Sequence, residues 1–356
     1  MKPRTLRRAA ALADLELIDA ARLSEIETVA RHFSIAISPA MAELIQHPDD
    51  PIGRQFVPSV AELTERPEER ADPIGDQAFS PLKGIVHRYP DRVLLKPSHL
   101  CPVYCRFCFR REKVGRAGEN LSPAELEAAL DYIRRDPKIW EVILTGGDPL
   151  LLSPRRLARI VADLDAIPHL GVIRLHSRVP VVAPELVNAA MVRALDAQKA
   201  VYVVIHANHP RELTQAARQA CARLVKAGIP LLSQSVLLKG VNDDAETLTR
   251  LFRDLVAMRV KPYYLHQADL ARGTGHFRTS LKAGQALMRR LRGRVSGLCQ
   301  PAYVLDLPGG YGKVPVGPCY ARETAESGEH LVEDIDGAVH CYPQGTDEPK
   351  SASNTG

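Results

Sequence analysis

Apolar residues recur at two intervals along this chain, and the change of interval divides it. Over the first 90 residues the spacing is helical where it is regular, as in Leu15–Ala30, whose apolar positions share one face. From His47 to Pro81 the chain is rich in Pro, Arg and Glu and reads as an irregular wrapping segment. From Asp91 to about Ala268 short branched and apolar runs alternate with amphipathic windows. Strands are expected at Arg92–Lys96, Glu141–Thr145, Val172–Leu175, Val201–His206, Leu231–Leu238 and Lys261–His266. Helices are expected between them, at Pro123–Arg134, Pro154–Leu164, Pro184–Leu195, Glu212–Ala227 and Ala245–Met258. Three of these open on Pro, as helix starts prefer. Six strand–helix steps imply parallel strands with right-handed crossovers, in a complete or partial (β/α) barrel or a doubly wound sheet.

After residue 276 the rhythm is lost. A helix at Lys282–Leu291 leads to a strand at Ala302–Leu307, a glycine loop, and a hairpin over Leu331–Tyr342 that turns at Asp336-Gly337. The expected organisation is therefore a helical N-terminal extension (1–90), an α/β unit (91–275), a C-terminal segment (276–343) and a polar, disordered tail (344–356).

Composition narrows the classes. At 45% hydrophobic and 25% charged residues the chain is an ordinary globular one. A net charge of +5 with scattered basic residues gives no nucleic-acid footprint. No apolar run is long enough to span a bilayer, and the N-terminus lacks a signal-peptide core, so a cytoplasmic location is expected. In that reducing compartment the seven cysteines are read as thiols or metal ligands.

Three cysteines stand together in Cys101-Pro-Val-Tyr-Cys105-Arg-Phe-Cys108, directly after the first strand. One loop with this spacing can wrap a corner of an iron–sulfur cluster and leave one iron without a protein ligand. A zinc loop is the bland alternative, but structural zinc usually takes four protein ligands. Cys221, Cys299, Cys319 and Cys341 are far apart in sequence.

The Cys-x-x-x-Cys-x-x-Cys spacing resembles the signature of the radical S-adenosylmethionine superfamily. That resemblance implies a 4Fe-4S cluster on Cys101, Cys105 and Cys108, with S-adenosyl-L-methionine chelating the open iron and yielding a 5′-deoxyadenosyl radical. Gly146-Gly147-Asp148, one strand later, looks like the superfamily's methionine-binding motif, its acidic residue placed to accept the methionine ammonium. A site at the C-terminal end of a strand is the habit of (β/α) barrels. The fold class expected is thus α/β, a partial barrel of about six parallel strands.

A strand also delivers Asp306 to a loop, Leu307-Pro-Gly-Gly-Tyr-Gly312-Lys313. Alone this reads as an exposed turn. Together with the cysteine loop it closely resembles the lysine 2,3-aminomutase family, from about Pro73 to Pro343, including His87-Arg-Tyr-Pro-Asp-Arg92, Arg110-Arg111-Glu112, Gln234 to Asp243 and His276-Phe-Arg-Thr. The resemblance makes Lys313 the Schiff-base lysine of pyridoxal 5′-phosphate, in a C-terminal cofactor-binding segment. It makes Arg110 the partner of the substrate α-carboxylate, and Asp269 and Asp306 partners of a distal ammonium. His206 and Gln234 would line the adenosylmethionine pocket with Gly146, Gly147 and Asp148, and Arg88 and Arg92 would meet the cofactor phosphate. The activity implied is an isomerase moving an amino group between adjacent carbons, L-lysine to β-lysine, with an electron donor such as flavodoxin or ferredoxin.

The chain departs from some longer family members, which bind zinc through a cysteine where Asp244 stands here. No zinc site is expected, and the oligomeric state, including a homo-oligomer, is left open. Three alternatives are carried: an aminomutase for glutamate or arginine, a relative preparing β-lysine for a translation elongation factor, and a non-catalytic iron–sulfur protein.

Overall fold

The computed structural model describes residues 4–115, 117–323 and 330–343, so the expected tail at 344–356 lies outside the described residues. Nine strands form one sheet in chain order. β1 (Ile85–Tyr89) and β2 (Arg92–Ser98) make an antiparallel hairpin. From β2 the sheet runs parallel through β3 (Glu141–Gly146), β4 (Val172–Ser177), β5 (Ala200–His206), β6 (Leu231–Leu237), β7 (Val260–Gln267) and β8 (Ala302–Leu307). β9 (Gly312–Pro315) returns antiparallel to β8.

The six expected strands are all present, and β8 adds a seventh parallel one. The strand–helix rhythm therefore continues one unit beyond residue 276, through the helix Leu281–Leu291. The sheet edges β1 and β9 lie side by side: the amide of Lys313 donates to Tyr89 Oη at 2.8 Å, and a Cβ on Gly75 would sit 2.6 Å from the Gly310 nitrogen. The sheet is a nearly closed barrel. β10 (Ala321–Glu323), β11 (His330–Glu333) and β12 (Val339–Tyr342) form a small antiparallel sheet, with the expected hairpin turning at Gly337.

Strand alternation sorts the side chains. Val93, Leu95, Val142, Leu144, Ile173, Leu175, Val203 and Ile205 face outward into one continuous core with Leu130, Leu157, Leu224 and Leu251 from the helices. Those helices are α2 (Pro123–Arg135), α3 (Pro154–Asp165), α4 (Gln215–Lys226) and α5 (Ala245–Ala257), preceded by α1 (Leu23–His32) near the N-terminus. The alternate positions point into the barrel; some are apolar, such as Ile143, Val204 and Val304, and the polar ones are Lys96, Thr145, His176, His206, Gln234, His266 and Asp306.

Two expected helices are shorter. Leu15–Ala30 is broken because Asp19 accepts from the Ala21 amide and starts a new turn before α1. Pro184–Leu195 is interrupted where Asn188 caps a short helix, Ala189–Arg193, through the amides of Ala190 and Met191. The N-terminal extension shares the barrel's core through Leu12, Ile26, Ile37 and Phe56.

Candidate active site

The cysteine loop leaves β2 and is pinned by the N-terminal extension. The Tyr104 amide donates to Ala36 O at 2.8 Å, and the Arg106 amide to Gln55 O at 2.9 Å. Glu62, fully buried, receives Arg106 through Nε at 2.9 Å and also binds Arg111 Nη2. Arg111 lies 3.6 Å from the Phe33 ring centroid. The loop is therefore held by buried ion pairs that need no metal. Cys101 and Cys108 are half-buried against Val29, Phe33, Ala36, Tyr104 and Val114. Cys105 Sγ accepts from Arg178 Nη1 at 2.7 Å, while Arg178 Nη2 is held by Gln55 Oε1 at 2.7 Å and Glu212 Oε2 at 2.8 Å.

Burial pushes all three thiols up, Cys108 to about 11; Cys101 and Cys108 also feel charge on other members of the trio, while Arg178 pulls Cys105 the other way. Such thiols ionise only when a cation arrives. Among the described residues no three His, Cys, Asp or Glu side chains close on a single ion. Three half-buried thiols on one loop, one of them hydrogen-bonded to a buried arginine, suit separate corners of a larger cluster.

Gly146-Gly147-Asp148 lies against this loop. A Cβ at Gly146 would approach Ser98 O to 2.6 Å, and one at Gly147 would approach Leu100 O to 2.2 Å. The glycines let the end of β3 touch the backbone leading to Cys101. The Gly147 and Asp148 amides donate there, to Ser98 O at 2.7 Å and Leu100 O at 2.8 Å. Asp148 is engaged by the protein itself. Its Oδ1 accepts from Ser177 Oγ at 2.7 Å and the Leu150 amide at 3.1 Å; its Oδ2 accepts from the Arg178 and Val179 amides at 2.6 and 3.0 Å. With each oxygen receiving two donors, the carboxylate staples the turn that carries Arg178.

At the other side of the barrel mouth, Asp306 on β8 pairs directly across the hairpin with Lys313 on β9. Lys313 Nζ binds Asp306 Oδ2 and stands 3.2 Å from His266 Nδ1 and 5.4 Å from the Tyr264 ring centroid. Burial opposes the Asp306 charge, but the His266 hydrogen bond and the Lys313 ammonium win and hold its carboxyl well below the usual range. Asp269 is the reverse case. Its Oδ1 is buried without a partner, and burial with the Asp306 charge raises its pKa to about 7.

Arg110 lies between the two sides. Its Nη2 donates to Asp76 Oδ2 at 3.0 Å and its Nη1 to Thr145 Oγ1 at 3.5 Å. Asp76 also takes Arg88 Nη2 at 3.1 Å. Arg92 sits farther out, paired with Asp91 at 2.7 Å and stacked 4.0 Å from the Tyr89 centroid. His206 and His176 contact edge to face at 5.8 Å between centroids, each with a buried Nε2 lacking a partner. Burial lowers His206 to about 3, and Arg178, His266 and Arg110 push the same way. Gln234 is His206's neighbour in register. The arginine touching Cys105 and the histidine touching Lys313 thus act on the same side chain. The cysteine loop and the lysine loop face one interior.

The structure adds residues the motifs did not single out: Asp76, Glu62, Arg178, Glu212, Tyr89 and His176. Only His176 carried a signal, since it shares the inward strand face with His206. The donor sets fit the groups the motifs implied: thiols for a cluster, and a half-buried amine beside His266 and Tyr264 for a carbonyl cofactor.

Residues 95–252 match the family model for the radical SAM superfamily, and residues 288–355 match that for lysine-2,3-aminomutase. The L-lysine 2,3-aminomutase of Clostridium subterminale is 40% identical over 312 residues, covering 87% of this chain and 75% of that one. The chain belongs to the lysine 2,3-aminomutase family. Within that family it is also similar to the L-lysine 2,3-aminomutase of Acetoanaerobium sticklandii, at 41% identity over 88% of this chain and 75% of that one. The glutamate 2,3-aminomutase of Clostridioides difficile is 38% identical over 83% of this chain and 70% of that one. As a lysine 2,3-aminomutase family member the protein is an isomerase, and the family's cofactors are a 4Fe-4S cluster, S-adenosyl-L-methionine and pyridoxal 5′-phosphate. Among the described residues no helix is long and apolar enough to cross a membrane.

Proposed function

We propose that this protein converts L-lysine to β-lysine. In the balanced reaction nitrogen leaves the α-carbon for the β-carbon while one hydrogen passes the other way, with no net oxidation. The observation that supports the substrate choice is the pair Asp306 and Asp269, with Asp269 feeling the charges of both Asp306 and Arg110. Asp306 already holds one ammonium, that of Lys313, and Asp269 has an unpartnered buried oxygen beside it. A glutamate side chain would bring a carboxylate to these carboxylates and be repelled.

Arg110 presents a planar fork to the α-carboxylate, and Asp76 fixes both Arg110 and Arg88 with one carboxylate. Cys101, Cys105 and Cys108 would hold the cluster and Lys313 the carbonyl cofactor, with Arg88 and, at the rim, Arg92 toward its phosphate. His206, Gln234 and the Gly146–Gly147 backbone would line the adenosylmethionine pocket. When bound, these groups supply the radical and the means of carrying nitrogen between carbons. The chain's own residues orient the two ends of the amino acid and exclude water. The reading carries with it a cytoplasmic setting, a low-potential donor such as flavodoxin or ferredoxin, and the division into extension, barrel and cofactor-binding segment.

Anaerobic reconstitution with iron, sulfide and pyridoxal phosphate tests it, followed by reductant, S-adenosylmethionine and a panel of amino acids. Lysine is expected to give β-lysine. Turnover of glutamate or arginine but not lysine would refute the substrate assignment.

A further inference from the structure

A buried ammonium without a partner is costly, so proteins neutralise it or provide an anion. Lys96, on the inward face of β2, is only 6% exposed. Among the described residues its side chain has no hydrogen bond and no ion pair. The carboxylates whose charge it feels are committed elsewhere: Asp76 to Arg88 and Arg110, and Asp72 to the amides of Asp76 and Gln77, at 2.9 Å each. Burial and the neighbouring Arg110 charge depress its pKa to about 8.

Lys96 opens into a cleft of about 230 Å³, with Lys113, Lys83 and Ser80 also on its walls. The size falls below the roughly 300–1,000 Å³ of sites for drug-sized ligands, so the occupant is small. His99 lines the same cleft and is only 4% exposed. Its Nδ1 lies 3.1 Å from Glu119 O, which can only accept, so Nδ1 carries the hydrogen. Its Nε2 is then a bare acceptor, and it is buried with no partner. The cleft thus offers an unpartnered cation, beside a histidine whose unpartnered ring nitrogen is itself sealed from solvent.

We propose that this cleft binds a small oxyanion: inorganic phosphate, or the phosphate of a larger monoester. The anion's oxygens accept from Lys96, with Lys113 at the rim. Occupancy neutralises Lys96 and removes its repulsion with Arg110, the residue proposed for the substrate carboxylate.

The test is isothermal titration of inorganic phosphate into protein already loaded with its cluster and pyridoxal phosphate, so that the cofactor's own phosphate site is filled. Saturable binding at one site per chain is expected, and K96M should weaken it roughly tenfold to a hundredfold, the loss of one charge-assisted contact. In phosphate-free buffer K96M should melt at or above the wild-type temperature. If K96M does not fold, Lys113→Gln at the rim should still weaken binding severalfold. Binding of glycerol 3-phosphate at least as tightly as phosphate assigns the site to a monoester; binding of phosphate alone assigns it to the free ion. No saturable binding, binding unchanged in K96M or in K113Q, or displacement of phosphate by saturating lysine would overturn the proposal.

Discussion

Asp269 has a carboxyl raised to about 7 by burial and by Asp306. Its folded pKa lies above the ordinary carboxylate value, so the native state holds a proton that the unfolded chain releases, and its contribution to stability falls as pH rises from about 4 toward 7. Binding runs the opposite way, because pairing with a substrate ammonium requires the ionised form. KM for lysine is therefore expected to rise about tenfold per unit as pH drops below about 7, and Asp269→Asn should flatten that limb. A pH-independent KM in the wild type would count against the distal-ammonium role. Lys313→Ala should abolish the visible absorbance of covalently held cofactor; unchanged absorbance would count against Lys313. At this scale the spacing of Cys101, Cys105 and Cys108 made them legible as one loop, whereas the Lys313 loop read alone as an exposed turn and drew its reading from the family resemblance. Asp76 was hidden because it sits in an irregular segment without periodicity. The engagement of Asp148 was hidden because three of its four donors come from a turn about thirty residues away, invisible in a local motif.

Among elements, the cysteine loop depends on one buried carboxylate from the extension. Glu62→Ala would leave Arg106 and Arg111 buried without their counter-charge, and a loss of about 3–5 kcal/mol is expected from denaturant unfolding, with reduced iron content after reconstitution. Full stability in this variant would show that the ion pairs do not hold the loop. Gly147→Ala should be comparably damaging, since its Cβ would meet Leu100 O at 2.2 Å. Strands β2 to β7 were readable because apolar runs bounded by breakers are a strong local signal. β8 was readable as a strand, but its place in the sheet was not: the polar loop after Gln267 masks the last strand–helix unit. The Pro184–Leu195 window failed because a single capping Asn188 outweighs apolar spacing over so short a stretch.

Across the whole molecule, the barrel seam between β1 and β9 is where the lysine loop is set. Tyr89→Phe removes the acceptor for the Lys313 amide and should weaken cofactor retention severalfold while leaving iron content unchanged. That closure, with Arg178 behind Cys105 and His266 behind Lys313, sets two distant motifs on one barrel, where both of those side chains act on His206. The most direct test uses the reconstituted protein with S-adenosylmethionine and lysine deuterated at the β-carbon. Deuterium is expected in the 5′-deoxyadenosine recovered, alongside β-lysine. Deoxyadenosine formed without label from the amino acid would mean that the two loops do not serve a common site.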